Sequence, residues 1–232
     1  MNQLDFLKRF KAPTTFTAPM FDKTELAAWE NDLRAQLPAQ YETLIKRFAE
    51  SLVTAGGNFY RASDAEDAAS LALKIAQERN VQSVVAWQHP IIETACAALQ
   101  GAGMTIMTSI VNEHQTRETL RQASATAELG LTSCDYALAE TGSLLLIGNA
   151  QQGRLTSLLP ITHVAIITPT QLVPTLTDAL KLLRHARLNG DGRLPSNVSL
   201  HTGPSKTADI EVVITKGVHG PKEVHVILVA SR

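Results

Sequence analysis

Four short polar segments, each placing glycine beside hydroxyl or charged residues, hold the side chains of this sequence best suited to chemistry. In Ala139-Glu140-Thr141-Gly142-Ser143, one carboxylate and two hydroxyls interrupt an apolar stretch. A half-buried Glu140 resists ionisation unless paired, which suits a general base, a nucleophile or a ligand clamp. The same residues also fit a plain hairpin turn whose Glu140 is solvated or caps a neighbouring helix. In Gly153-Arg154-Leu155-Thr156-Ser157, the planar guanidinium of Arg154 offers paired donors to a carboxylate or phosphate, with Ser157 beside it, or else meets a structural acid such as Glu140. Thr202-Gly203-Pro204-Ser205-Lys206-Thr207-Ala208-Asp209-Ile210-Glu211 reads as a strand-to-helix turn. There, backbone N–H groups would hold an anion with help from Ser205, Lys206 and Thr207, and Asp209 either joins the site or is an ordinary acid of the first helical turn. Gly217-Val218-His219-Gly220-Pro221 sets one imidazole between two glycines, where His219 would shuttle protons near neutral pH and Gly220 would let backbone approach a ligand.

Such loops act only when a rigid framework aims them. Apolar residues at helical spacing run from Thr24 to Val53, and Pro38 is expected to divide them into two helices. Ser63-Asp-Ala-Glu66 forms a capping box for a helix closed by Asn80. Pro90 opens a helix that stops at Gly101, and Asn112-Glu-His-Gln115 opens one expected to stop at Gly130. Leu172, Leu176, Leu180, Leu183 and Arg187 mark one face of a last helix, terminated by Asn189-Gly190. Strands are expected at 81–87, 104–110, 163–167, 198–201, 212–215 and 224–229, with 136–139 and 143–147 as a hairpin or sharply bent pair. This alternation predicts an α/β three-layer sandwich with a largely parallel central sheet covered on both faces. The division falls near residue 55: an arm and helices over 1–55, the arm (1 to about 22) reading as a mobile or partner-docking segment or a frayed end, then an α/β domain over 56–232.

Composition narrows the function classes. With 44% hydrophobic residues in 232, the chain buries a core without needing disulfides or a structural metal. Twenty-one basic against 22 acidic residues leave a net charge of −1, and the one basic cluster is Lys8-Arg9-Phe10-Lys11, which argues against a nucleic-acid surface. Leu144-Leu-Leu-Ile147 is far shorter than a membrane span, and the first ten residues lack a signal-type apolar stretch, so a cytoplasmic protein is expected. Cys96 and Cys134 lie far apart with no ligand-spaced partner, so neither an iron–sulfur cluster nor a metal is expected in this chain. His163 opens an apolar strand and reads as a hydrogen-bonded core residue; His89, His114, His185, His201 and His225 have no partner at ligand spacing. No Gly-x-Gly-x-x-Gly, Walker A or Gly-x-Ser-x-Gly motif is present.

Ala137-Leu-Ala-Glu-Thr-Gly-Ser143, Gly153-Arg-Leu-Thr-Ser-Leu-Leu-Pro160, Gly203-Pro-Ser-Lys-Thr-Ala-Asp-Ile-Glu211 and Gly217-Val-His-Gly-Pro221, in this order, resemble the LUD-domain family of lactate utilization proteins over roughly residues 60–232. The resemblance implies the fold shared by glucosamine-6-phosphate deaminase, ribose-5-phosphate isomerase and CoA transferases. It also implies a subunit of an L-lactate oxidation system acting with two iron–sulfur partner proteins; the two cysteines make this chain the non-redox subunit, and the four loops would bind a small anion or a partner loop. Glu140-Thr-Gly is loosely similar to the CoA-transferase site in which a glutamate forms the acyl adduct, so a free-standing CoA-transferase-like or sugar-phosphate-type enzyme using Glu140 is the alternative. A third reading makes all four segments packing turns of an assembly protein.

Overall fold

The computed structural model describes residues 23–110, 116–189, 195, 197–208 and 214–230. Helix α1 (Lys23–Thr54) runs unbroken through Pro38. The expected division at this proline does not occur: Leu26, Leu37, Leu44, Ile45, Phe48 and Leu52 are buried on both sides of it, and that packing outweighs one missing hydrogen bond. There follow β1 (Asn58–Ala62), α2 (Ala65–Glu78), β2 (Ser83–Ala86), a 3-10 turn (Pro90–Ile92) leading into α3 (Glu93–Gly101), β3 (Thr105–Thr108), α4 (Arg117–Thr126) and β4 (Leu129–Thr132). The cap of α2 sits one residue later than the sequence suggested. Asp64 Oδ1 accepts the Asp67 N–H at 2.8 Å, and Asp67 reaches back to the Ser63 N–H at 2.9 Å. Helix α4 is capped by Thr116, whose hydroxyl accepts the Thr119 N–H at 3.2 Å; the proposed cap at 112–115 lies outside the described residues.

Gly130 does not end α4 but lies within β4, a strand too short and too thoroughly buried to announce itself by alternation. A Cβ there would overlap the Thr156 carbonyl, so glycine is required where the next helix crosses the strand. The chain continues through β5 (Tyr136–Leu138), β6 (Ser143–Ile147), α5 (Leu155–Leu158), β7 (Thr162–Ile167), β8 (Leu172–Val173), α6 (Leu176–Leu188), β9 (Val198–His201), β10 (Lys206–Ala208), β11 (Ile214–Lys216) and β12 (Glu223–Val229).

The expected α/β architecture is observed. Six strands pair in the order β1-β12-β7-β4-β2-β3, all parallel. Every residue of β4 and β7 is buried, as befits a parallel sheet with helices over it.

The strands do not all join one sheet, however. β5 and β6 are antiparallel because Glu140-Thr141-Gly142 is too short for a crossover, and with β8 and β9 they build a second, mixed sheet in the order β8-β5-β6-β9. Strand alternation explains the purely apolar β6: Leu144 and Leu146 enter the main core, while Leu145 and Ile147 enter a smaller core with Ala179, Leu182 and Leu183 of α6. Leu180, expected on the buried face of α6, is about half exposed.

Candidate functional site

Three of the four polar segments converge on the carboxyl end of α1. Gly142 (φ 66°) turns the β5–β6 hairpin against the backbone of Ser51 and Leu52, so closely that a Cβ would overlap the Leu52 nitrogen. The Ser51 hydroxyl donates to the carbonyls of Ala139 and Glu140 at 3.2 and 3.3 Å. Hydroxyls chain from Thr141 to Ser143 (2.7 Å) and from Ser143 to Thr202 (2.6 Å). Gly203 (φ 66°) packs on the Ala55 carbonyl, which also accepts from Lys206 Nζ at 2.6 Å. A cation on the final carbonyls of a helix is favourably placed with respect to the helix dipole. The 217–221 turn closes over this segment: the His219 N–H donates to Ser205 Oγ (3.3 Å), the Ser205 N–H to the Pro221 carbonyl (2.9 Å), and Gly220 lies against Ser205. The His219 side chain is exposed.

Glu140 sits at the rim of this group but turns toward α6. Its Oε1 accepts the Leu176 N–H at 2.7 Å, serving as an acidic partner for the free donors at that helix start. The segment from Thr202 does not enter a helix. It leads into β10 of a two-stranded hairpin, so the anticipated helix-start anion site has no helix. Thr207 lies in β10, and Asp209 lies outside the described residues.

Arg154 and Ser157 stand elsewhere. β6 and β9 run antiparallel, with Ser143 and Thr202 at one end and Gly148 and Asn197 at the other. Five residues of strand separate the two ends by ~17 Å. At the far end is a cavity of about 670 Å³ lined by Ser109, Ser124, Asn149, Arg154, Thr156 and Asn197, with Leu120, Ala150 and Leu155 as its apolar wall. Ser109 follows β3 directly, so the cavity opens beyond the carboxyl end of a parallel strand, where α/β sheets usually bind ligands.

The cavity wall is braced before any ligand arrives. Asn149 Oδ1 accepts the N–H groups of Gln151 (2.8 Å) and Gln152 (3.0 Å), and Ser109 Oγ donates to the Gln151 carbonyl (3.1 Å). Indole Nε1 of the buried Trp87 donates to the Gly153 carbonyl at 3.0 Å. Ser157 Oγ donates to the Arg154 carbonyl (3.1 Å), holding the turn that carries the guanidinium.

Arg154 and Thr156 line this cavity without a side-chain partner among the described residues. The Arg154 side chain is exposed, is the one charged group among the described lining residues, and its guanidinium forms no hydrogen bond or ion pair with the described residues, Glu140 included. Thr156 is 1% exposed and its Oγ1 has no hydrogen-bond partner among the described residues. A buried hydroxyl without a partner costs free energy. The sequence marks Arg154, but not Thr156, Ser109 or Asn197, because only the tertiary fold brings residues 109, 156 and 197 to one wall.

Between the two sheets, His163 is fully buried, with Nε2 at 2.8 Å from Thr132 Oγ1 and its ring edge-on to His201 at 5.9 Å. Burial, helped by His201 and His225, pushes its pKa down to about 3, so it is a neutral core residue, as the sequence suggested. Burial likewise lowers His201, and lowers His225 despite Glu223 at 3.0 Å.

A family model described as the LUD domain matches residues 45–229. The chain belongs to the LUD-domain family. Its LUD relatives include a lactate utilization protein C of Halalkalibacterium halodurans, 32% identical over 160 residues that make up 68% of this chain and 67% of that one. The lactate utilization protein C of Bacillus subtilis is 41% identical over 106 residues, 46% of this chain and 44% of its own length, so that match spans less than half of the relative. Among solved structures, a DUF162 family protein from Deinococcus radiodurans superposes with a TM-score of 0.50 at 25% identity, over 84% of this chain and 98% of that one. Among the described residues, no helix is long and apolar enough to cross a membrane.

Proposed function

We propose that this LUD-domain chain serves L-lactate utilization in the cytoplasm as a non-redox subunit, supporting conversion of L-lactate to pyruvate beside two iron–sulfur proteins. The observation that carries the reading is the 32% identity, over two thirds of both chains, to a relative named lactate utilization protein C. Oxidation of lactate to pyruvate releases two electrons, and cluster-bearing partners accept them in this reading. The thiol chemistry of the chain agrees. An iron–sulfur cluster takes four cysteine thiolates, and the sequence contains two cysteines. Burial pushes the Cys96 pKa up to about 11 and that of the fully buried Cys134 well above the ordinary thiol value, which disfavours the thiolate form that ligates metal.

The cavity at Arg154 is the binding site in this reading. A guanidinium receives a carboxylate through two parallel hydrogen bonds, and this one is free of competing acids among the described residues. The three segments around the end of α1 then hold that helix in place, with Glu140 capping α6 rather than attacking a substrate.

Replacing Arg154 tests the site. Arg154→Ala, with its side chain exposed, should leave the thermal midpoint within about 2 °C of the parent, since surface changes cost little. Lactate-dependent activity of the reconstituted system should fall by about tenfold or more, the loss expected when a charge-assisted pair is removed. Full activity in this variant would remove the cavity from the function.

A further inference from the structure

The Arg154 guanidinium ends a long, exposed side chain, so its aim depends on how firmly the backbone beneath it is held. The two peptide units that meet at its Cα are both tied. The carbonyl of the later one, Arg154 to Leu155, accepts from Ser157 Oγ at 3.1 Å. The carbonyl of the earlier one, Gly153 to Arg154, accepts the Thr156 N–H at 3.3 Å and the Trp87 indole N–H at 3.0 Å. Ser157 and Thr156 belong to the same short turn and move with it. Of these three bonds, the one from Trp87 comes from a separate element. Gln88 and Ser109 hold the segment farther back, at the Gln151 carbonyl and the Gly153 N–H.

Trp87 makes a fixed point. It follows β2 directly, its backbone N–H donates to the Leu131 carbonyl of β4 at 3.0 Å, and its ring is 2% exposed within the main core. With backbone and ring both held, the indole N–H has one direction in which to point. We propose that Trp87 is a positioning residue of the Arg154 site, whose indole N–H fixes the Gly153–Arg154 peptide and so aims the guanidinium into the cavity. The inference rests on the reading of this cavity as the binding site, and adds the residue that holds its cation in place. Without the bond, the turn also takes arrangements that point the guanidinium elsewhere, and apparent affinity falls with the competent fraction. One hydrogen bond is worth about fivefold in that fraction.

The test is a double-substitution cycle on lactate-dependent activity of the reconstituted system, using Trp87→Phe, Arg154→Ala and the pair, each assayed well below its melting temperature. Trp87→Phe keeps a buried ring and removes the donor. It should lower activity by about fivefold in the parent and by nothing in the Arg154→Ala background, because a residue that works through the guanidinium has no effect once the guanidinium is gone. Should Trp87→Phe fail to fold, benzothienylalanine at position 87, with sulfur in place of the N–H and the ring shape kept, runs the same cycle with the packing intact. An equal loss in both backgrounds would mark Trp87 as merely structural and overturn the inference. Parental activity without the indole donor, together with a loss in Arg154→Ala, would overturn it too and leave the site reading standing. Full activity in Arg154→Ala would overturn both.

Discussion

At the scale of residues, the buried histidines give the molecule a defined response to acid. His163, His201 and His225 all have folded-state pKa values below the unfolded value near 6.5, first because burial disfavours the charged ring. Groups held neutral in this way contribute stability that is complete above pH 6.5 and is lost as the pH falls from there toward the folded value, about 3 for His163. Asp135, whose pKa is raised by burial, acts with the opposite sign but as one group against three. Urea unfolding should therefore show stability falling between pH 6.5 and 5, with a slope approaching about 1.4 kcal/mol per pH unit for each histidine that titrates only in the unfolded chain. A flat profile over that interval would mean that these rings take up protons in the folded state. The buried character of His163 was legible in the sequence because an apolar strand follows it directly. The significance of Thr156 was not, since an unsatisfied hydroxyl is recognised only when every neighbour is known.

Among elements, the end of α1 shows what the glycine-rich segments accomplish. The β5–β6 turn and the stretch after β9 meet residues 51–56, and Gly142 and Gly203 permit contacts that any side chain would obstruct. At Gly142 both reasons for glycine apply, a positive φ and a Cβ position already filled by the Leu52 backbone. Gly142→Ala should therefore cost more than about 2 kcal/mol in urea unfolding, and a change within about 0.5 kcal/mol would show that the helix end is loosely held. Most helices and strands were legible from capping residues, glycine stops and apolar period. Failures came where tertiary packing overrode a local signal. Pro38 sits inside a helix anchored on both sides, Gly130 sits in a strand crossed by a carbonyl, and the residues after Thr202 form a hairpin despite acids placed as if for a helix start. The second sheet could not be foreseen from strand count, although the four-residue link between β5 and β6 already forbade a parallel pair.

Over the whole molecule, the parallel sheet and the mixed sheet divide the labour. One end of the β6–β9 pair is occupied with holding α1, while the other opens into the Arg154 cavity beside the carboxyl end of β3. Of the four polar segments, three meet at the end of α1, and the one that carries Arg154 stands a strand's length from the rest. Membership of the LUD-domain family, a matching set of relatives named for lactate utilization and two thiols whose pKa values burial raises support the central proposal, that this chain serves lactate oxidation while partner proteins carry the iron. The most direct measurement is affinity purification of the tagged full chain from lactate-grown cells, with iron assayed in the recovered complex and in the chain purified alone. Iron recovered with copurifying proteins and none in the isolated chain is the predicted result; iron bound stoichiometrically by the isolated chain would contradict it.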